Sequence, residues 1–210
     1  MPLAVDRFQL GPVQTNCYLV RANAAAGEAV LIDPGAEAAV LELELQRAGA
    51  RCVAILITHS HFDHIGAVAE LAEATGAPVH ISAQEAVVLE TPERFYPGLG
   101  VRAFSPDVRL AGDESLELAG IRFRTLRVPG HSPGHVAFLA DGALFSGDVL
   151  FAGSVGRTDL PFSSWETLLE SIRALAGLLP PDTVVYAGHG PPTTLGDELA
   201  RNPFLAELRA

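Results

Sequence analysis

Lysine is absent from this 210-residue chain, and all 14 of its basic residues are arginine. Against 25 acidic residues they leave a formal net charge of −11. That balance argues against the phosphate backbone of a nucleic acid as the main partner. Cysteine is scarce too. Cys17 and Cys52 stand far apart, each in an apolar strand-like run, which favours buried free thiols over a disulfide. No apolar run approaches the length of a membrane span. The N-terminal stretch MPLAVDRFQLGPV has no basic segment followed by an apolar core and a cleavage site. A cytoplasmic protein with no membrane partner is the expectation. A hydrophobic content of 49% sets disorder aside, and the length suits one domain over residues 1–210 with a sizeable core.

The apolar runs that are present read mostly as strands and helices in turn. Residues 4–10, 16–21 and 29–33 read as strands, and residues 36–48 as a helix. A buried strand over 53–57 precedes a helix from Ile65 onward, with Val68, Leu71, Ala72 and Thr75 on one face. A strand at 78–81 and a helix at 83–89 follow. Residues 91–106 have no period and read as a lid or a plain surface loop. Short strands follow at 115–118, 121–128, 135–139 and 143–146. A helix over 163–178 would be opened by Ser163 and Glu166 at capping-box spacing, with Trp165 on its buried face. A strand at 183–186 comes last, and Pro203 interrupts a helical tail. Two β-layers flanked by helices account for this order. The segments AVLIDPG and ALFSGD echo one another, a hint of an internal repeat.

The chemistry concentrates in Thr58-His59-Ser60-His61-Phe62-Asp63-His64, directly after the strand at 53–57. In a chain of this composition such a string arises by accident on the order of once in a few thousand sequences. If the backbone stays extended, His59, His61 and Asp63 share a face, while His64 breaks the alternation. A strand-to-helix turn there lets side chains converge on more than one point, and two metal ions are the natural occupants. Further donors stand just past apolar runs and beside glycine: Gly130-His131, Gly147-Asp148 and Gly188-His189-Gly190.

In that order these residues resemble the metallo-β-lactamase superfamily. The resemblance implies an α/β fold, an αββα sandwich with its metals at the edge between the two sheets. It implies that His59, His61 and His131 hold one metal, that Asp63, His64 and His189 hold the second, and that Asp148 bridges both. Asp33 would orient a ligand from behind, and His135 is a second candidate for that role. Asp63 and Asp148 would act with a bridging hydroxide. The donor set suits zinc first, with iron or manganese as alternatives, and the lack of cysteine ligands disfavours a soft-metal site. Two such ions orient a carbonyl and generate hydroxide near neutral pH.

The stretches SGDVLF, GRTD, GHGP and TTLGDELARNPF are similar to the small bacterial relatives of glyoxalase II, hydroxyacylglutathione hydrolase. A small-molecule thioester such as S-D-lactoylglutathione is the implied substrate, and a homodimer is implied by analogy alone. The larger members carry a C-terminal helical region that supplies basic residues for glutathione, and much of it is missing here. Arg157 and Arg201 are the available anion contacts. The alternative is a persulfide dioxygenase of the same fold with one iron on His59, His131 and Asp148. A lactonase ranks lower, because no tyrosine follows Asp148 closely. An acidic chain without an RNA-gripping insertion makes a poor nuclease, and His61 stands where the flavin-linked diiron reductases resemble a carboxylate site. A non-catalytic binding module would be expected to have lost ligands. His80 reads as structural.

Overall fold

The computed structural model describes residues 3–208. Two six-stranded sheets face one another. The first contains β1 (Ala4–Leu10), β2 (Thr15–Arg21), β3 (Glu28–Ile32), β4 (Arg51–Leu56), β5 (Val79–Ser82) and β6 (Val108–Leu110), in that spatial order. The second is built from β7 (Ser115–Leu118), β8 (Ile121–Arg127), β9 (Val136–Ala140), β10 (Ala143–Gly147), β13 (Val184–Ala187) and β14 (Thr193–Thr194). A small hairpin pairs β11 (Leu150–Phe151) with β12 (Ser154–Val155). Helices α1 (Ala38–Arg47) and α3 (Val68–Thr75) cover the outer face of the first sheet. Helices α6 (Trp165–Leu178) and α7 (Leu195–Arg201) cover the outer face of the second. Of the short helices α2 (Phe62–Ile65), α4 (Ala86–Glu90) and α5 (Pro92–Phe95), the first two bury Ile65, Ala86 and Leu89 in the layer under α1 and α3.

Strand periodicity explains the layering. Successive residues point to opposite faces, and the central strands are apolar on both. Tyr18, Val20, Val30, Ile32, Ala54 and Leu56 pack into the core between the sheets, facing Phe123, Phe138 and Phe145. Their neighbours Cys17, Leu19, Ala29, Leu31 and Ile55 face the helices instead. Both cysteines are buried and free, and burial pushes both thiols up. The echo between AVLIDPG and ALFSGD has a counterpart in the topology. β3 is antiparallel to β2 and parallel to β4, and β10 is antiparallel to β9 and parallel to β13.

Several sequence expectations need correction. The helix expected from Ile65 onward is two helices, because the turn at Asp33-Pro34-Gly35 packs into the break. Ala67 N–H donates to the Pro34 carbonyl at 3.0 Å, and a Cβ on Gly66 would lie 2.2 Å from the Gly35 carbonyl oxygen. The cap of α6 is Ser164, whose hydroxyl accepts from Thr167 N–H, while Ser163 closes a turn with Leu160. Trp165 is 36% exposed: it is the first residue of α6, and the buried stripe begins a turn later at Leu168. The aperiodic segment 91–106 holds α5 and walls one side of a cleft through Phe95 and Tyr96. β6 and β14 went unforeseen; at three and two residues they carry too little pattern to read. Among the described residues no helix is long and apolar enough to cross a membrane.

Candidate metal centre

Every residue of the expected ligand set lies at the same edge of the sandwich, just past the strands. β4 delivers Thr58 to His61, and α2 delivers Asp63 and His64. His131 sits in the turn between β8 and β9, Asp148 follows β10, and His189 follows β13. The chain does not stay extended through Asp63, as alternation alone would have it. It turns into α2 after His61, so Asp63 leaves the His59–His61 face and joins His64 and His189. Two donor triads result, His59–His61–His131 and Asp63–His64–His189, the donor atoms of each lying within 4.8 Å of one another. Asp148 lies between them: Oδ1 is 3.4 Å from His64 Nε2, and Oδ2 is 3.5 Å from both His131 Nε2 and His189 Nε2.

The imidazole orientations are fixed from behind. Asp33 has the left-handed φ of 52°, which asparagine and aspartate tolerate better than most residues. From there its carboxylate accepts from Thr58 N–H at 2.8 Å and Thr58 O–H at 2.7 Å, and lies 3.0 Å from His64 Nδ1. His64 Nε2 is thereby left facing Asp148. His131 Nδ1 donates to the Arg157 carbonyl at 2.8 Å, leaving Nε2 inward. Thr58 O–H is spent on Asp33, so at 3.0 Å the hydroxyl accepts from His59 Nδ1, and His59 Nε2 also carries a lone pair.

These tautomers test whether a cation belongs here. His61 Nδ1 lies 3.1 Å from His59 Nε2 and 2.8 Å from His131 Nε2. One ring nitrogen can offer at most one proton, so two lone pairs must oppose one another unless a cation intervenes. His64 Nε2 and Asp148 Oδ1 are buried without a hydrogen-bond partner, the condition expected of groups whose natural partner is an ion. The absence of a side chain at residue 188 keeps this space open: a Cβ on Gly188 would lie 2.1 Å from Asp148 Oδ1. The donor set therefore fits divalent metal.

Electrostatics divide the histidines into two groups. Burial, reinforced by neighbouring imidazoles, holds His59 and His135 well below the ordinary range and His61 down to about 4. Burial also acts against protonation of His64 and His189. There the carboxylate of Asp148, joined by Asp33 and Asp63 respectively, wins, and His189 is raised to about 9. Burial acts to raise Asp63, but its bond to His189 holds it at about 2. In metal-free protein the two groups have opposite pH linkage. The first stabilises the fold fully above the unfolded-state value of about 6.5 and loses that contribution as pH falls toward its depressed values. The second contributes fully below about 6.5 and loses its share as pH rises through the raised values. Urea denaturation of the metal-free protein should accordingly give greatest stability near pH ~6.5. A monotonic pH dependence would contradict this account.

Two connecting residues carried no sequence signal. Glu85, 4% exposed, joins the two histidine loops. Oε1 accepts from Ser132 O–H and Gly134 N–H, both at 2.8 Å, and Oε2 accepts from Ser60 N–H at 3.2 Å and from the Ser60 hydroxyl. Thr15 donates to Asp63 Oδ2 at 2.6 Å. His135 stacks on His59 with centroids 4.6 Å apart, and its Nε2 accepts from Asp148 N–H at 3.1 Å. His80 is buried with both ring nitrogens unpartnered and lies away from the triads, in β5. The Arg157 guanidinium pairs with both oxygens of Asp159 at 2.8 Å. Arg201 is paired with Asp197 in α7 and does not line the cleft. A cleft of about 600 Å³ opens in front of both triads.

The family model described as Metallo-beta-lactamase superfamily matches residues 10–189. The hydroxyacylglutathione hydrolase GloC of Haemophilus influenzae is 39% identical over 201 residues, covering 91% of this chain and 93% of that protein. Among solved structures, the BLEG-1 B3 metallo-beta-lactamase superposes with a TM-score of 0.90 at 40% identity, over 97% of this chain and all of that one. TTHA1623, solved in a di-iron-bound form, gives a TM-score of 0.82 at 44% identity, over 96% of this chain and all of that one.

Proposed function

Since this chain belongs to the metallo-beta-lactamase superfamily, we propose that it is a metal-dependent hydrolase of small-molecule thioesters, similar in chemistry to glyoxalase II. The single observation that carries the reading is the shared carboxylate: Asp148 lies against imidazoles of both donor triads at 3.4–3.5 Å. His59, His61 and His131 would hold one ion, Asp63, His64 and His189 the other, and Asp148 both. Zinc suits five imidazoles and two carboxylates, and iron suits them as well, as the di-iron form of TTHA1623 illustrates for that protein. When bound, such ions act as Lewis acids and lower the pKa of water to about 7.

The chain's own groups divide the remaining work. Asp33 and the Arg157 carbonyl keep protons on the outer nitrogens of His64 and His131, so that the inner nitrogens stay free to coordinate. Asp63 and Asp148 have depressed pKa values, which suits holding cations and makes both weak proton acceptors. The cleft in front of the triads is lined by Tyr96 and Phe162 among others and has room for an acyl carrier. Likeness to the Haemophilus GloC supports the glyoxalase II direction, and the ending Gly188-His189-Gly190-Pro191 favours the hydrolase over a one-iron dioxygenase.

The test is S-D-lactoylglutathione hydrolysis by protein loaded separately with zinc, iron and manganese, with the released thiol followed. A kcat/KM above about 10⁴ M⁻¹s⁻¹ with at least one metal is expected. Oxygen consumption with a persulfide, and no thioester turnover with any metal, would move the assignment to the dioxygenase.

A further inference from the structure

Apolar side chains wall the cleft on both sides, Val87 and Phe95 from α4 and α5, Leu160 and Phe162 from the loop before α6. Among the described residues ten large apolar side chains are exposed, and four of them, Val13, Val87, Phe95 and Phe162, line this one cleft. Clustering of that kind marks a binding surface, where scattered exposure would not. Phe162 is the extreme case. It is 84% exposed and has φ 66°, a conformation bulky side chains seldom adopt. Its ring buries little of itself in the fold and stands free at the mouth of the cleft.

Charge along the walls points the same way. Arg157 supplies the only guanidinium among the lining residues, and its Nε and Nη2 bond the two oxygens of Asp159, which offsets its charge. Glu85 is saturated by its four donors. Away from the histidine centre the cleft therefore offers mainly apolar contact, with a single guanidinium already paired to a carboxylate. A lactoyl group is small, whereas about 600 Å³ is the size of a typical small-molecule site. The carrier must fill most of it.

We propose that the thiol half of the substrate is apolar and uncharged, an aryl or alkyl thiol carrier in preference to a dicarboxylate such as glutathione. This rests on the thioesterase reading for the identity of the scissile bond, and on the cleft alone for the preference. The two are tested apart. Calorimetry on metal-loaded protein would use non-hydrolysable S-(2-hydroxypropyl) thioethers of benzyl mercaptan and of glutathione. The benzyl compound should bind at least about tenfold more tightly. Val87→Arg adds a cation at an exposed helix position and should narrow the ratio to below about threefold. Equal or tighter binding of the glutathione compound, binding of neither, or an unchanged ratio in the variant overturns the proposal. Turnover of the matching D-lactoyl thioesters reports on the hydrolase reading separately. Benzyl-selective binding without turnover upholds the preference and sinks the thioesterase. Turnover with glutathione preferred does the reverse.

Discussion

Asp148→Ala should abolish turnover and strip metal from the protein in the same step. The side chain is buried, its Oδ1 has no hydrogen-bond partner, and it lies within 3.5 Å of nitrogens from both triads. Removing the carboxylate takes from His64 and His189 the largest of the charges that raise their pKa values, and removes the one group able to serve both ions. Loss of a residue behind a metal ligand typically costs about 10–100-fold in affinity or activity. Loss of the shared ligand should exceed about 100-fold in kcat/KM. Elemental analysis should show metal content falling with it. Asp148→Asn serves as the control for folding: it keeps the shape, leaves the backbone N–H bonded to His135, and should lose the same functions. An Asp148→Ala protein that keeps both metal and activity would sink the assignment.

Glu85→Gln should weaken metal binding without touching any ligand. Two buried backbone N–H groups, from Ser60 and Gly134, meet opposite oxygens of this carboxylate. An amide places NH₂ at one of those ends in either orientation. The serine hydroxyl there can rotate and accept, but the backbone N–H cannot. One buried donor is then orphaned, at a cost of about 2 kcal/mol, or a fall of roughly 4–8 °C in Tm for a chain this long. His59 and His61 flank Ser60, and His131 adjoins Ser132. Loosening either loop should lower affinity at the first triad by about 10–100-fold, measured by chelator competition. Ser132→Ala, which removes one hydroxyl and leaves the backbone bonds, should lose about 1 kcal/mol. A Glu85→Gln protein that melts lower yet binds metal as the parent does would reduce Glu85 to a purely structural tie.

What could be read in the sequence follows from how local each signal is. β4 was legible because a short apolar run bounded by polar residues has few other readings, and His59 to His64 because their spacing is local. His131, Asp148 and His189 were reached through family resemblance and their place after apolar runs; nothing in spacing assigns them to one ion or another. Glu85 was illegible for the opposite reason. It opens a short helix in AQEAVVLE like any surface glutamate, and its partners lie 25, 47 and 49 residues away. Thr15 is 48 residues from Asp63. Trp165 misled because helical spacing places a residue on a face but does not say where the cover over that face begins.

The chain passes from one sheet to the other once, through residues 111–114 between β6 and β7. All strands of the first sheet precede that link and all strands of the second follow it. A nick there would leave both sheets covalently whole but would divide the core between them and the metal centre, with His59, His61, Asp63 and His64 on one fragment and His131, Asp148 and His189 on the other. The centre would then become a bimolecular assembly, and metal would act as a ligand shared between two polypeptides. Its recovery on mixing the halves would depend on protein concentration as well as on metal, a dependence the intact chain removes by supplying one half to the other at fixed effective concentration.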